Sequence, residues 1–179
     1  MTRNKNVTLL RVLLAMVMAL TAMPKAHGES LIVEAESFSK RGGWMVDQQF
    51  MDLMGSPYLI AHGMGVPVSD AVTTVNINSG GTYQVYVRTY NWTSPWSAKP
   101  GAGAFQLSVG GKRLHTVGQT GNRWQWQKAG TVRLKAGATQ LRLHDLTGFD
   151  GRCDAILLTT DGSLVPPDDA RSQDAFRSG

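Results

Sequence analysis

The stretch richest in groups able to do chemistry runs from Leu143 to Asp154, where His144, Asp145, Asp150, Arg152, Cys153 and Asp154 crowd beside an apolar strand. An imidazole beside a carboxylate could serve as a general base, a thiol as a nucleophile, and converging carboxylates as ligands for a hard cation. Spacing prunes these options. His144 and Asp145 are consecutive in an extended segment, so their side chains point to opposite faces and cannot form a hydrogen-bonded dyad. Cys153 alternates with Ala155 and Leu157 and reads as a buried, inert thiol. Asp154 then shares a face with Ile156 and Leu158, and a carboxylate there needs a donor or a cation. Glu34 and Glu36, two apart in the first apolar segment, offer oxygens that with Asp154 would suit Ca²⁺ if the first and last strands are neighbours. The opposing reading leaves both glutamates exposed and Asp154 capping a turn.

A second set is aromatic and cationic. Tyr90, Trp92 and Trp96 fall in a loop with Pro95 and Pro100, where flat apolar rings beside polar neighbours match the apolar face of a sugar. Each ring could instead fold back over the sandwich edge as a lid. Trp124 and Trp126 alternate onto one strand face and read as core. Arg88, Arg133 and Arg142 project from non-core positions. Sharing a face, they would favour an acidic sugar, because guanidinium pairs bidentately with carboxylate. Arg88, Tyr90, Trp92 and Trp96 are therefore the candidate carbohydrate-binding residues. The competing enzymatic reading, a lyase or hydrolase using His62, His144, Asp145 or Asp150, requires a convergence in space that the spacing does not supply.

Strands separated by Gly, Asn and Pro must position these groups. They are expected at Leu31–Glu36, Trp44–Val46, Ala71–Ile77, Thr82–Tyr90, Ala104–Val109, Lys112–Val117, Trp124–Leu134 with a break at Gly130, Thr139–His144 and Cys153–Thr159. A short helix is expected within Asp47–Met54. Gly80-Gly81, Gly110-Gly111 and Lys135-Ala136-Gly137 supply turns. Tyr83, Val85 and Val87 alternate with Gln84, Tyr86 and Arg88, and Phe105, Leu107 and Val109 repeat the pattern. Many short half-buried strands make an all-β fold, an antiparallel β-sandwich or jelly roll.

Arg3, Lys5 and Arg11 precede an apolar run, and Ala26-His27-Gly28 offers small residues to a signal peptidase, so residues 1–28 read as a signal peptide for a secreted or periplasmic protein. The run is too short to span a bilayer. Four of the 18 basic side chains lie in that segment, leaving 14 against 13 acidic ones, about +1 in all. No basic patch with interleaved aromatics remains to suggest nucleic acid. The one cysteine cannot form an internal disulfide. Residues 29–165 form the expected module, and 166–179, opening Pro-Pro-Asp-Asp, read as a linker-like tail.

"VEAESF" near the start and "GRCDAILLTTD" near the end resemble the first and last strands of galactose-binding-like jelly rolls, including carbohydrate-binding modules that hold a structural Ca²⁺ there. Over about Leu31 to Pro167, "GGWMVDQQFMDLMGSPYLIAHGMGVPVSDAVTTV", "YQVYVRTYNWTSPW" and "LHDLTGFDGRCDAILLTTD" resemble the accessory β-sandwich of bacterial secreted FAD-dependent oxidoreductases, a module related to the golvesin and xanthan-lyase-like binding domain. The resemblance implies Glu34, Glu36 and Asp154 as calcium ligands, and a non-catalytic module that binds polysaccharide. Its alternative is a structural or docking module partnering a separately encoded or truncated flavin oxidoreductase. The chain has no G-x-G-x-x-G after a strand, so FAD is not expected in it.

Overall fold

A computed structural model of the chain describes residues 28–93 and 101–178. All but the last residue of the expected signal peptide, together with Trp96, lie outside this set. Ten strands are seen among the described residues: β1 Ser30–Glu34, β2 Met45–Asp47, β3 Tyr58–His62, β4 Ala71–Ile77, β5 Gly81–Thr89, β6 Phe105–Val109, β7 Lys112–Val117, β8 Gln125–Leu134, β9 Gly137–Asp145 and β10 Phe149–Thr159. A 3₁₀ turn covers Ala35–Ser37, and two helices, α1 Met51–Met54 and α2 Ala170–Ser178, complete the elements. The strands form two antiparallel sheets. One has the order β2-β3-β10-β5-β8 with β1 also on β10, and the other is β4-β9-β6-β7. Among the described residues no helix is long and apolar enough to cross a membrane.

Period-two alternation explains the sandwich. Tyr83, Val85 and Val87 of β5 face Phe105, Leu107 and Val109 of β6 and Leu141 and Leu143 of β9 within one buried cluster. Trp44 closes it, edge-on to Phe105 with ring centroids 5.5 Å apart. Each such side chain, fully buried, contributes roughly 1.5–3 kcal/mol. The β6–β7 hairpin turns on Gly110 and Gly111, whose φ values of 57° and 83° are what a two-residue loop with a right-handed strand twist requires.

Four local readings change. Tyr58–His62 is an unforeseen strand: its first four residues are buried, so it lacks the alternation of a half-buried strand. The expected break at Gly130 is a bulge, with Val85 opposite Gly130 and Tyr86 opposite Lys128, leaving Ala129 extra. The first strand ends at Glu34, so Glu36 belongs to the 3₁₀ turn and does not continue the alternation. The segment expected as a linker-like tail carries α2. Its start is capped by Asp169, whose Oδ1 accepts from the Ser172 amide at 2.9 Å. Polar anchors hold the helix, which is why an apolar count did not foresee it: fully buried Gln173 accepts from the Trp126 indole at 2.9 Å.

The most consequential change is in β10. Cys153 pairs with Leu59 of β3, whereas Ala155 pairs with Glu34 of β1, so the strand exchanges one neighbour for another at Asp154. Against β5, Cys153 faces Thr89 and Ala155 faces Arg88, making Asp154 the extra residue of a bulge. The bulge inverts the expected alternation. Cys153 joins Ile156 and Leu158 in the main core, and Asp154 leaves it for the outer side of the six-stranded sheet, where Arg88 and Ser56 meet it.

Candidate functional site

The outer face of the six-stranded sheet carries a second apolar cluster: Met54, Tyr58, Ile60 and Trp124, with Phe50 and Tyr90 against it. Its rings lock edge to face. Tyr58 and Trp124 lie 4.9 Å apart, and Phe50 sits 5.5 Å from Tyr90 at 76°. Where β5 ends, Tyr90 packs 5.7 Å from Trp124. Beside these rings opens a cleft of about 320 Å³, lined by Phe50, Leu53, Tyr90 and Trp124 on its apolar side and by Arg88, Asn122, Arg123 and Asp168 on its polar side. Aromatic faces with a few polar groups are the makeup of a small-molecule site.

Arg88 and Tyr90, both expected as site residues, are brought together at this cleft. Arg88 is not the solvated arginine that alternation implies. It is 1 % exposed, with Nη1 3.0 Å from Asp154 Oδ2 and 3.0 Å from Met54 Sδ, and Nη2 donating to the Asp168 carbonyl at 3.4 Å. Its buried Nε has no hydrogen-bond partner. Arg133 and Arg142 do not join it: Arg133 pairs with Thr82 at the other end of the β5–β8 ladder, and Arg142 lies on β9 of the second sheet.

On the other side of Tyr90 stands Trp92. Its ring lies 5.5 Å from that of Phe149, and Phe149 is exposed. The guanidinium of buried Arg152 lies 5.7 Å from the Tyr90 ring and 6.0 Å from the Trp92 ring, joining the two by cation–π contact. Asn91 fixes the turn, donating from Nδ2 to the Gln119 carbonyl at 2.6 Å and accepting from the Thr93 amide at 3.0 Å. Tyr90 is thus the hinge between a cleft and a tilted pair of rings.

The three candidate calcium ligands lie on one side of the sheet, yet Asp154 is answered by guanidinium. Arg88 and Arg177 both bond its Oδ2, and Ser56 donates to Oδ1 at 3.3 Å. Arg177 Nη1 also lies 3.5 Å from Glu34 Oε2. Among the described residues no group of three or more His, Cys, Asp or Glu is placed to hold a metal ion, while Glu34 Oε2 and Glu36 Oε2 are buried without a hydrogen-bond partner. Burial pushes the Asp154 carboxyl up, against the pull of Arg177 and Arg88, and pushes Glu34 up in the same way. Burial also drives Glu36 up to about 7, with Glu34 and Asp154 adding to the rise.

The remaining candidates separate. Asp145 accepts from the amides of Val68, Thr147 and Gly148 and so holds the β9–β10 turn. His144 diverges from it onto the second sheet's outer side, 2.8 Å from Ser108 and 3.0 Å from Asp70, and desolvation lowers its pKa. His62 pairs with Asp150 at the loop end. The four groups proposed for enzymatic chemistry therefore do not gather in one place: His62 meets Asp150, while His144 and Asp145 stand apart from that pair and from each other. Burial raises the Cys153 thiol well above its ordinary range, which leaves it inert. Sequence reasoning missed Phe50, Asn122, Arg123 and Phe149, and singled out Arg152 without assigning it to this surface. Phe50, Asn122 and Arg123 lie outside the alternating strands, and Phe149 and Arg152 open β10 ahead of its bulge, so alternation marks none of them.

No family model matches the chain, and comparison with curated proteins also yields no match. Solved structures do. A family 35 carbohydrate binding module from Clostridium thermocellum matches with TM-score 0.56 and 21% identity over 73% of this chain and 97% of that one. The CBM36-1 domain of a multidomain xylanase from the hindgut metagenome of Trinervitermes trinervoides matches with TM-score 0.55 and 18% identity over 76% of this chain and all of that one. The Podospora anserina GH26-CBM35 β-(1,4)-mannanase gives TM-score 0.57 and 17% identity over 76% of this chain, which spans only 29% of the mannanase. At these identities the likeness is one of fold. The likeness to the flavin-linked accessory module rests on the sequence segments quoted above. The chain folds as an antiparallel β-sandwich of the galactose-binding-like kind seen in these modules.

Proposed function

We propose that the protein is a non-catalytic carbohydrate-binding module that acts after export and takes an acidic glycan in the cleft around Tyr90. The observation that carries this reading is the joining of aromatic faces with two guanidinium groups in one cleft, Arg88 buried and Arg123 exposed. Rings offer area to the C–H face of a sugar at low entropic cost, and Asn122 and Asp168 offer hydrogen bonds to hydroxyls. The exposed Arg123 guanidinium favours a carboxylate over a neutral substituent, and Arg88, held by Asp154, fixes the cleft's polar wall. Trp92 and Phe149 extend the surface for a longer chain. The fold shared with carbohydrate-binding modules supports the same reading.

A glycan array probed with the purified protein tests it. Retention of uronic-acid-containing glycans is expected, reduced at least tenfold by Tyr90→Ala and by Arg123→Ala without loss of the melting transition. Retention of no glycan, or retention unchanged in both variants, overturns the reading.

A further inference from the structure

The C-terminal helix has little to hold it by itself. It is nine residues long, and isolated helices of that length are marginal in water. Its fixed point is Arg177. One guanidinium is met from three parts of the fold: Asp154 of β10, the Glu34 carboxylate of β1 as an ion pair at 3.5 Å, and the end of α1 with the residues after it, where the Met54 carbonyl lies at 3.3 Å and the Ser56 hydroxyl at 2.9 Å. Asp154, fully buried at the bulge, also takes Arg88 on the same Oδ2 at 3.0 Å. Two carboxylates thus meet two guanidinium groups. A divalent cation brought to Asp154 would face the repulsion of both, at a carboxylate whose own two oxygens already accept from Ser56, Arg88 and Arg177.

We propose that Arg177 is a tethered counter-ion that latches α2 across the outer face of the six-stranded sheet, doing in this chain what a bound cation would otherwise do for Asp154 and Glu34. The partner exchange in β10 creates the need, because it turns a carboxylate out of the core at a point where neither β1 nor β3 pairs with it. The latch also shapes the cleft: Asp168, just before α2, takes the Trp126 amide on its carboxylate at 2.7 Å and Arg88 on its carbonyl. This inference stands apart from the sugar reading, since it concerns charge compensation and would hold for any ligand.

The test is thermal unfolding of the purified protein in EDTA and in millimolar CaCl₂, with Arg177→Ala melted beside it and amide exchange followed in the wild type. The expected result is one midpoint in both buffers, slow exchange in α2, and a fall of about 10 °C in Arg177→Ala, as removal of one partner from a buried ion pair implies. The wild-type comparison needs no variant to fold. A rise of several degrees with calcium, fast exchange in α2, or an Arg177→Ala midpoint equal to wild type overturns the proposal.

Discussion

Glu36 shows how one misplaced carboxylate can set a pH response. Its side chain is half-buried in the 3₁₀ turn, its Oε2 has no hydrogen-bond partner, and burial lifts its pKa to about 7 from an ordinary 4.5. An acid raised in the folded state favours the protonated form, so its contribution is fully present below about 4.5 and is lost as pH climbs through 7. Discounted for solvent screening of a half-exposed group, the effect is on the order of 1 kcal/mol. Glu36→Gln should therefore melt a few degrees above wild type at pH 8 and with it at pH 4, by calorimetry at both values. A gap that is equal at both would contradict the assignment. Residues of this kind were half legible: the alternation singled out Glu34, Glu36 and Asp154, but no pattern tells a carboxylate answered by a distant arginine from one awaiting a cation.

Turns and bulges, more than strands, place the chemistry. The β9–β10 turn gathers the Val68, Thr147 and Gly148 amides onto Asp145, and Gly148 sits at φ 62° with the Val66 carbonyl so close that a Cβ would meet it at 2.0 Å. Asp145→Ala leaves those amides without their acceptor and should lower stability by about 2–3 kcal/mol, read as the shift in urea midpoint. An unchanged midpoint would show that the turn does not depend on this side chain. The bounds of Ala71–Ile77 and Lys112–Val117 were legible to the residue. The bulge at Asp154 was not. A strand that exchanges β3 for β1 follows from pairing partners distant in sequence, and it reversed the faces assigned to Cys153 and Asp154. The C-terminal helix escaped for a related reason, since buried polar contacts from Gln173 and Arg177 hold it.

At the scale of the whole molecule, two sheets make the core and the outer face of one of them carries the aromatic cleft. The sandwich was legible because half-buried strands announce themselves by alternation, and the structural likeness to carbohydrate-binding modules agrees. The cleft was legible only in Arg88 and Tyr90, and the ring pair beside it only in Trp92. Phe50 comes from before α1 and Trp124 from before β8, and only the folded chain brings them to Tyr90. Salt separates the two forces invoked here, because guanidinium–carboxylate attraction is screened and ring stacking is not. The most direct test is isothermal titration of a uronic-acid oligosaccharide and its neutral counterpart into the purified protein at low and high salt. The account predicts preferential binding of the acidic sugar, an advantage that shrinks as salt rises and falls about tenfold in Arg123→Ala. Equal affinity for both sugars at low salt, or no heat from either, would contradict it.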